Sequence, residues 1–173
     1  MKKTIILLAA TVWLFTGCQE KKTMQLTDLH VHLKGKLTIE DAAKKSKDEN
    51  IQYGIAVNCG IGFPVHNDSQ IDSVLATFKG YPQFYVAMQA EGREWVNTFS
   101  QESRDKFDYV FTDCMTFTDE KGRRNRIWMK DETWIDDEQQ FMDYMVNTLV
   151  KILETEPINI YVNPTFLPEQ MAA

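Results

Sequence analysis

The feature that most limits what this chain can fold into is an alternation. Five short apolar runs, 26–33, 53–59, 83–91, 108–117 and 158–162, read as strands. Between them lie longer polar stretches with helical spacing, 38–50, 70–79, 94–106 and 136–154. Each helical stretch has a start signal or an amphipathic stripe. Thr38-Ile39-Glu40-Asp41 reads as a cap, Asn67-Asp68-Ser69 offers caps for the second, and Phe141, Tyr144, Met145, Thr148, Leu149 and Ile152 share one face of the last. Pro164 and Pro168 stop the fifth strand. Strands joined through helices in this way pair in parallel, because a tight hairpin cannot make a parallel pair.

Two closures suit such repeats, an open doubly wound sheet or a barrel. In the second strand Gly54, Ala56 and Asn58 share one face, while Ile55 and Val57 share the other. The third strand repeats this pattern, with Ala87, Gln89 and Glu91 opposite Phe84, Val86 and Met88. The larger face suits a layer of helices, and the small or polar face suits a barrel interior with working residues at the C-terminal strand ends. The expectation is therefore an α/β fold, a partial (β/α) barrel of TIM type with about five βα units and a parallel sheet. A full barrel takes about 250 residues. This chain has 173, so residues 26–173 read as the N-terminal part of one, with a second chain as a candidate for completing it.

The start of the sequence reads separately. Lys2 and Lys3 precede a mostly apolar run, 4–15, too short to span a bilayer comfortably, and Thr16-Gly17-Cys18 follows at once. The layout resembles a bacterial lipoprotein signal peptide, although Phe15 stands where that pattern more often has Leu. It implies a leader 1–17, lipidation at Cys18, a polar tether 18–25, and an exported protein held to the bacterial envelope by its lipid alone. Cys59 and Cys114 then remain. Export permits a disulfide, but their places at strand ends favour two buried thiols.

The sharpest chemical signal is Asp28-Leu29-His30-Val31-His32 in the first strand. Residues two apart on a strand point the same way, so His30 and His32 can grip one divalent cation, with Asp28 placed to orient a ring. Together with Leu33, this segment resembles the first strand of metal-dependent hydrolase barrels, the PHP family and the amidohydrolase superfamily, which carry a His-x-His pair there. The resemblance implies hydrolysis by a metal-activated water, with Zn, Mn or Fe as the divalent metal. It points to Glu91, after the third strand, as a third ligand.

Elsewhere the sequence departs from that pattern. A Thr-Asp-His-Gly-like turn is replaced by Asn58-Cys59-Gly60-Ile61-Gly62, and His66 reads as a surface residue. Asn163-Pro164 stands where His-Pro is familiar, and Asn163 becomes a substrate hydrogen-bonding group. Asp113, ending the fourth strand, is the candidate catalytic carboxylate.

The stretch 121–130 is basic in a chain of net charge −6. Arg123, Arg124 and Arg126 are suited to fork onto a phosphate or carboxylate, and Trp128 to stack on a ring. The alternative is a solvated loop balanced by Asp131, Glu132, Asp136 and Asp137. The acidic balance argues against non-specific nucleic-acid binding, and no P-loop, nucleophile elbow or dinucleotide fingerprint is present. The expected activity is metal-dependent hydrolysis of a small, anionic substrate. The alternatives are a degenerate relative that kept the fold and lost the chemistry, and a truncated product.

Overall fold

The computed structural model describes residues 26–171; the leader 1–17, Cys18 and the tether 18–25 lie outside them. The main elements are β1 (Leu26–Val31), α1 (Ile39–Glu49), β2 (Ile51–Cys59), α2 (Asp68–Phe78), β3 (Tyr85–Ala90), α3 (Trp95–Thr98), α4 (Gln101–Arg104), β4 (Tyr109–Thr112), β5 (Thr116–Thr118), β6 (Arg124–Arg126), α5 (Glu138–Thr155) and β7 (Ile160–Tyr161). Five strands form one sheet in the order β1-β2-β3-β4-β7, every pairing parallel. Among the described residues no helix is long and apolar enough to cross a membrane.

The helices begin where their caps predict. Thr38 Oγ1 accepts from the Asp41 N–H while the Asp41 carboxylate accepts from the Thr38 N–H, a closed capping box. Asn67 and Asp137 cap α2 and α5 through Gln70 and Gln140. Phe141, Met145, Thr148 and Ile152 form the buried stripe of α5.

The two sheet faces separate as the alternation requires. Val57, Cys59, Val86, Met88, Ala90 and Val110 pack among the helices with Ile71, Trp95 and Phe99. Ala56, Ala87 and Phe111 form a small cluster on the opposite face.

That opposite face is concave. Strands lie about 4.8 Å apart, so β1 and β4 would stand about 14 Å apart in a flat sheet. Yet the His30 and Phe111 ring centroids are 4.7 Å apart, and the Tyr109 hydroxyl donates to the Leu29 carbonyl at 2.6 Å. The sheet is curled into a half-barrel, and Tyr109 braces it from within. Gly54 makes room for this brace, because a Cβ there would overlap the Tyr109 hydroxyl.

Three segments differ from the sequence-based expectation. The helix over 94–106 is two four-residue pieces, α3 and α4. Thr98 Oγ1 bonds back to the Glu94 carbonyl, Phe99 is extended, and Ser100 restarts the chain by capping Ser103. The strand over 108–117 stops at Thr112, where the Asp113 carboxylate accepts from the Met115 N–H and turns the chain. Part of the basic stretch is strand, because β5 and β6 pair antiparallel. Asp119 closes their hairpin by accepting from the Lys121 and Arg123 N–H groups, and Gly122 supplies φ +79°. Cys59 and Cys114 are both buried and unbridged, as their positions suggest.

Candidate metal centre

His30, His32, Asn58, Gln89, Glu91, Asp113, Arg126, Trp128 and Asn163 all line one cavity of about 510 Å³ at the C-terminal ends of the strands. Residues far apart in sequence meet there because parallel strands deliver their ends to one rim. His30 Nε2 and His32 Nε2 are 3.2 Å apart. The contact is a ring-to-ring N–H···N hydrogen bond, and its length is also close to the about 3.3 Å that separates two ligands at 2.0–2.1 Å from a tetrahedral ion. The rings are edge to face, with an interplanar angle of 60°. Burial is the main cause pulling His32 down to about 4, with the charges of Lys34 and His30 adding to it and the neighbouring Gln89 side chain opposing it. His32 is therefore neutral at pH 7, the form that ligates a metal.

Glu91 is buried and held from three sides. Asn58 Nδ2 at 2.8 Å and Gln89 Nε2 at 3.0 Å donate to Oε1, and Thr116 Oγ1 at 2.9 Å donates to Oε2. A carboxylate has about four lone-pair positions, so Oε2 keeps one open. Burial, followed by the Asp113 charge, pushes Glu91 up to about 7, against the Thr116, Asn58 and Arg93 interactions. Asp113 is also raised by burial, although the Met115 N–H, Asn163, Arg93 and His30 oppose the shift. Asn163 Nδ2 donates to Asp113 Oδ2 at 2.8 Å from a left-handed backbone, φ +53°.

Gly60 packs against the main chain and Cβ of Glu91. A Cβ at Gly60 would overlap the Glu91 carbonyl oxygen and stand 2.9 Å from the Glu91 Cβ. Gly60→Ala is expected to cost about 1–3 kcal/mol and to push Glu91 out of its cage. Urea unfolding checks the first effect and amide shifts of Asn58 and Thr116 the second. A neutral substitution would contradict the close approach.

Other sequence candidates are placed differently. The Asp28 carboxylate accepts from the backbone N–H of His30 at 3.0 Å, so its observed partner is the main chain and not a ring. The buried Gln89 Oε1 has no hydrogen-bond partner among the described residues and adjoins His32, making it the better acceptor for a ring N–H. Arg123 is turned away onto Asp119 at 2.7 Å and Asp136 at 2.6 Å. Arg124 pairs with Glu94 at 2.6 Å, outside this cavity. Only Arg126 of the three arginines reaches the histidine cavity, lying over the Phe63 ring at 5.0 Å. His66 is exposed and faces the Phe63 carbonyl.

Gln89 and Thr116 had no assigned site role in the sequence reading. The polar face of β3 pointed to Gln89; nothing pointed to Thr116, which arrives by the turn at Asp113. Among the described residues no group of three or more His, Cys, Asp or Glu side chains is set as a ligand shell for an ion. The imidazole pair alone has the spacing of two ligands of one ion, and Glu91 is not set with it as a third. Comparison with family models, curated proteins and solved structures found no match for this chain.

Proposed function

We propose that this chain is a metal-dependent hydrolase of the PHP or amidohydrolase kind, acting on a small anionic substrate and anchored through Cys18. The single observation that carries this reading is the 3.2 Å separation of the two imidazole nitrogens inside the cavity. His30 and His32 hold the ion, a Zn, Mn or Fe cation, with Glu91 Oε2 beside them. When bound, such an ion supplies a nucleophile by lowering the pKa of water toward 7. Glu91, pushed up to about 7 by burial, holds its proton at Oε2 near neutral pH while no ion is bound and gives that position up to a cation. Asp113, steadied by Asn163, accepts a hydrogen bond from a substrate hydroxyl. Arg126 meets the anionic group, and Trp128, 42% exposed at the rim, covers an apolar part.

A second reading is a relative that kept the fold and lost the chemistry. It is favoured by Asn163 at a position where the resemblance expects His, and by Glu91 Oε1 being fully engaged by Asn58 and Gln89.

Metal analysis after anaerobic purification decides between the two. A hydrolase carries about one or more equivalents of Zn, Mn or Fe, and His30→Ala with His32→Ala lowers affinity by more than about 100-fold. A parent chain with no bound ion removes the hydrolase reading, and unchanged stoichiometry in the double variant refutes this site.

A further inference from the structure

A row of side chains crosses the concave face of the sheet beside the histidine pair. Asn58 is the register partner of Gln89, and Gln89 that of Phe111. Partners in a parallel sheet share a face, and the His30 ring lies on Phe111, centroids 4.7 Å apart. Gln89, at the middle of the row, is 8% exposed and lines the histidine cavity.

The Gln89 amide has one workable orientation. Its Nε2 donates at 3.0 Å to Glu91 Oε1, the oxygen that also accepts from Asn58 Nδ2 at 2.8 Å. A flipped amide would set oxygen against oxygen there. The amide oxygen is therefore turned the other way. It is buried beside His32 and has no partner among the described residues. An unpaired buried acceptor costs about 1–3 kcal/mol, so the position calls for a donor. The His32 ring can supply one. Its Nε2 is occupied by His30 Nε2 at 3.2 Å, which leaves Nδ1.

We infer that Gln89 is a positioning residue of the histidine pair: its amide oxygen holds His32 in the neutral tautomer with the proton on Nδ1 and a bare Nε2. His30 is then the donor of the ring-to-ring bond, through its Nε2–H. An arriving cation meets a lone pair already free on His32. Only His30 has to move its proton, from Nε2 to Nδ1, and it stays neutral in doing so. His32 is thus the leading ligand and His30 the closing one. The partner of the second ring nitrogen commonly sets which nitrogen of an imidazole binds metal. The consequence for metal rests on the hydrolase reading, whereas the tautomer does not.

Imidazole nitrogen–proton correlation spectra of the metal-free full chain, near neutral pH with a chelator, test it. The sequence holds three histidines, so single replacements assign the signals. In the parent chain His32 is expected to carry its proton on Nδ1, against the Nε2–H form that histidine favours in water. Gln89→Met, close in length but without an acceptor, is expected to return His32 to the Nε2–H form. The same variant should weaken Zn binding by about 10–100-fold, read by titration against a competing chelator. His30→Ala is expected to leave the His32 proton on Nδ1, because Gln89 and not the other ring places it. A parent His32 protonated on Nε2, an Nδ1 proton lost in His30→Ala, or an Nδ1 proton kept in Gln89→Met would each overturn the proposal, the last by making Gln89 a support for Glu91 alone. Zn affinity equal to the parent's in Gln89→Met would overturn it as well. A parent chain that binds no Zn removes the hydrolase reading, and the tautomer measurements then decide this one by themselves.

Discussion

Urea unfolding of Glu91→Gln at pH 8, with a chelator present, is expected to show about 3 kcal/mol more stability than the parent chain, and little difference at pH 4.5. The parent carboxyl loses its proton near 4.5 when unfolded but near 7 when folded. Between those values the folded chain holds the extra proton, so stability falls as pH rises through that window and is lowest, for this group, above 7. Glutamine carries no charge to bury. Its carbonyl still accepts from Asn58 and Gln89, and the Thr116 hydroxyl can turn from donor to acceptor. Because the Asp113 charge contributes to the shift, the difference between the two proteins reports the carboxylate pair. His32 acts in the opposite sense, since a folded value near 4 costs stability as pH falls below 6.5, but it does so equally in both proteins. Parallel pH profiles for the two proteins would show that Glu91 is not a strained buried acid. A stabilised variant that also binds metal poorly would mean that the site is maintained at the expense of the fold.

Trp95→Ala should be the most damaging single change in the scaffold, at about 3–5 kcal/mol by urea midpoint. The ring is fully buried at 0% exposure and packs among Val57, Ile71, Met88 and Phe99. Its Nε1 also donates to Glu156 at 2.7 Å, and the Arg104 guanidinium lies 5.7 Å over the ring. Truncation leaves a cavity and removes a donor from a partly buried carboxylate, two separate penalties. Trp95→Phe divides them. It keeps much of the volume and loses the N–H, and about 1–2 kcal/mol is expected. If alanine costs no more than phenylalanine, packing around Trp95 is not what holds α3 to the sheet.

The sheet was legible in the sequence because its signal is local and repeated. Gly54, Ala56 and Asn58 alternate with Ile55 and Val57, and a strand can satisfy that pattern only with one face toward helices and the other toward a concavity. His30, His32 and Glu91 were visible for the same reason, since strand ends in a parallel sheet share a rim. The hairpin was not visible. Whether Asp113 continues a strand or turns the chain depends on its bond to the Met115 N–H, and Asp residues support both outcomes. The fates of the arginines followed from that turn. Residues two apart on a strand share a face, so Arg124 and Arg126 both reach back to the carbonyls of Ile61 and Gly62, while Arg123, their neighbour, is taken by Asp119 and Asp136. No composition rule distinguishes these three neighbours. Asp28 meets the main chain of His30 and not a ring, in a strand whose register with β2 shifts between Asp28 and Val31.

The bolt from Tyr109 to the Leu29 carbonyl makes the width of the bowl a property of one phenol seated on one glycine. His30 rides on the strand at one end of that bolt, and Asp113 follows the strand at the other. Gly54 and Tyr109 therefore act as a matched pair of shims. Exchanging both together, for a slightly larger residue and a correspondingly shorter one, offers a way to tune the reach between the two walls without touching any residue that lines the histidine cavity.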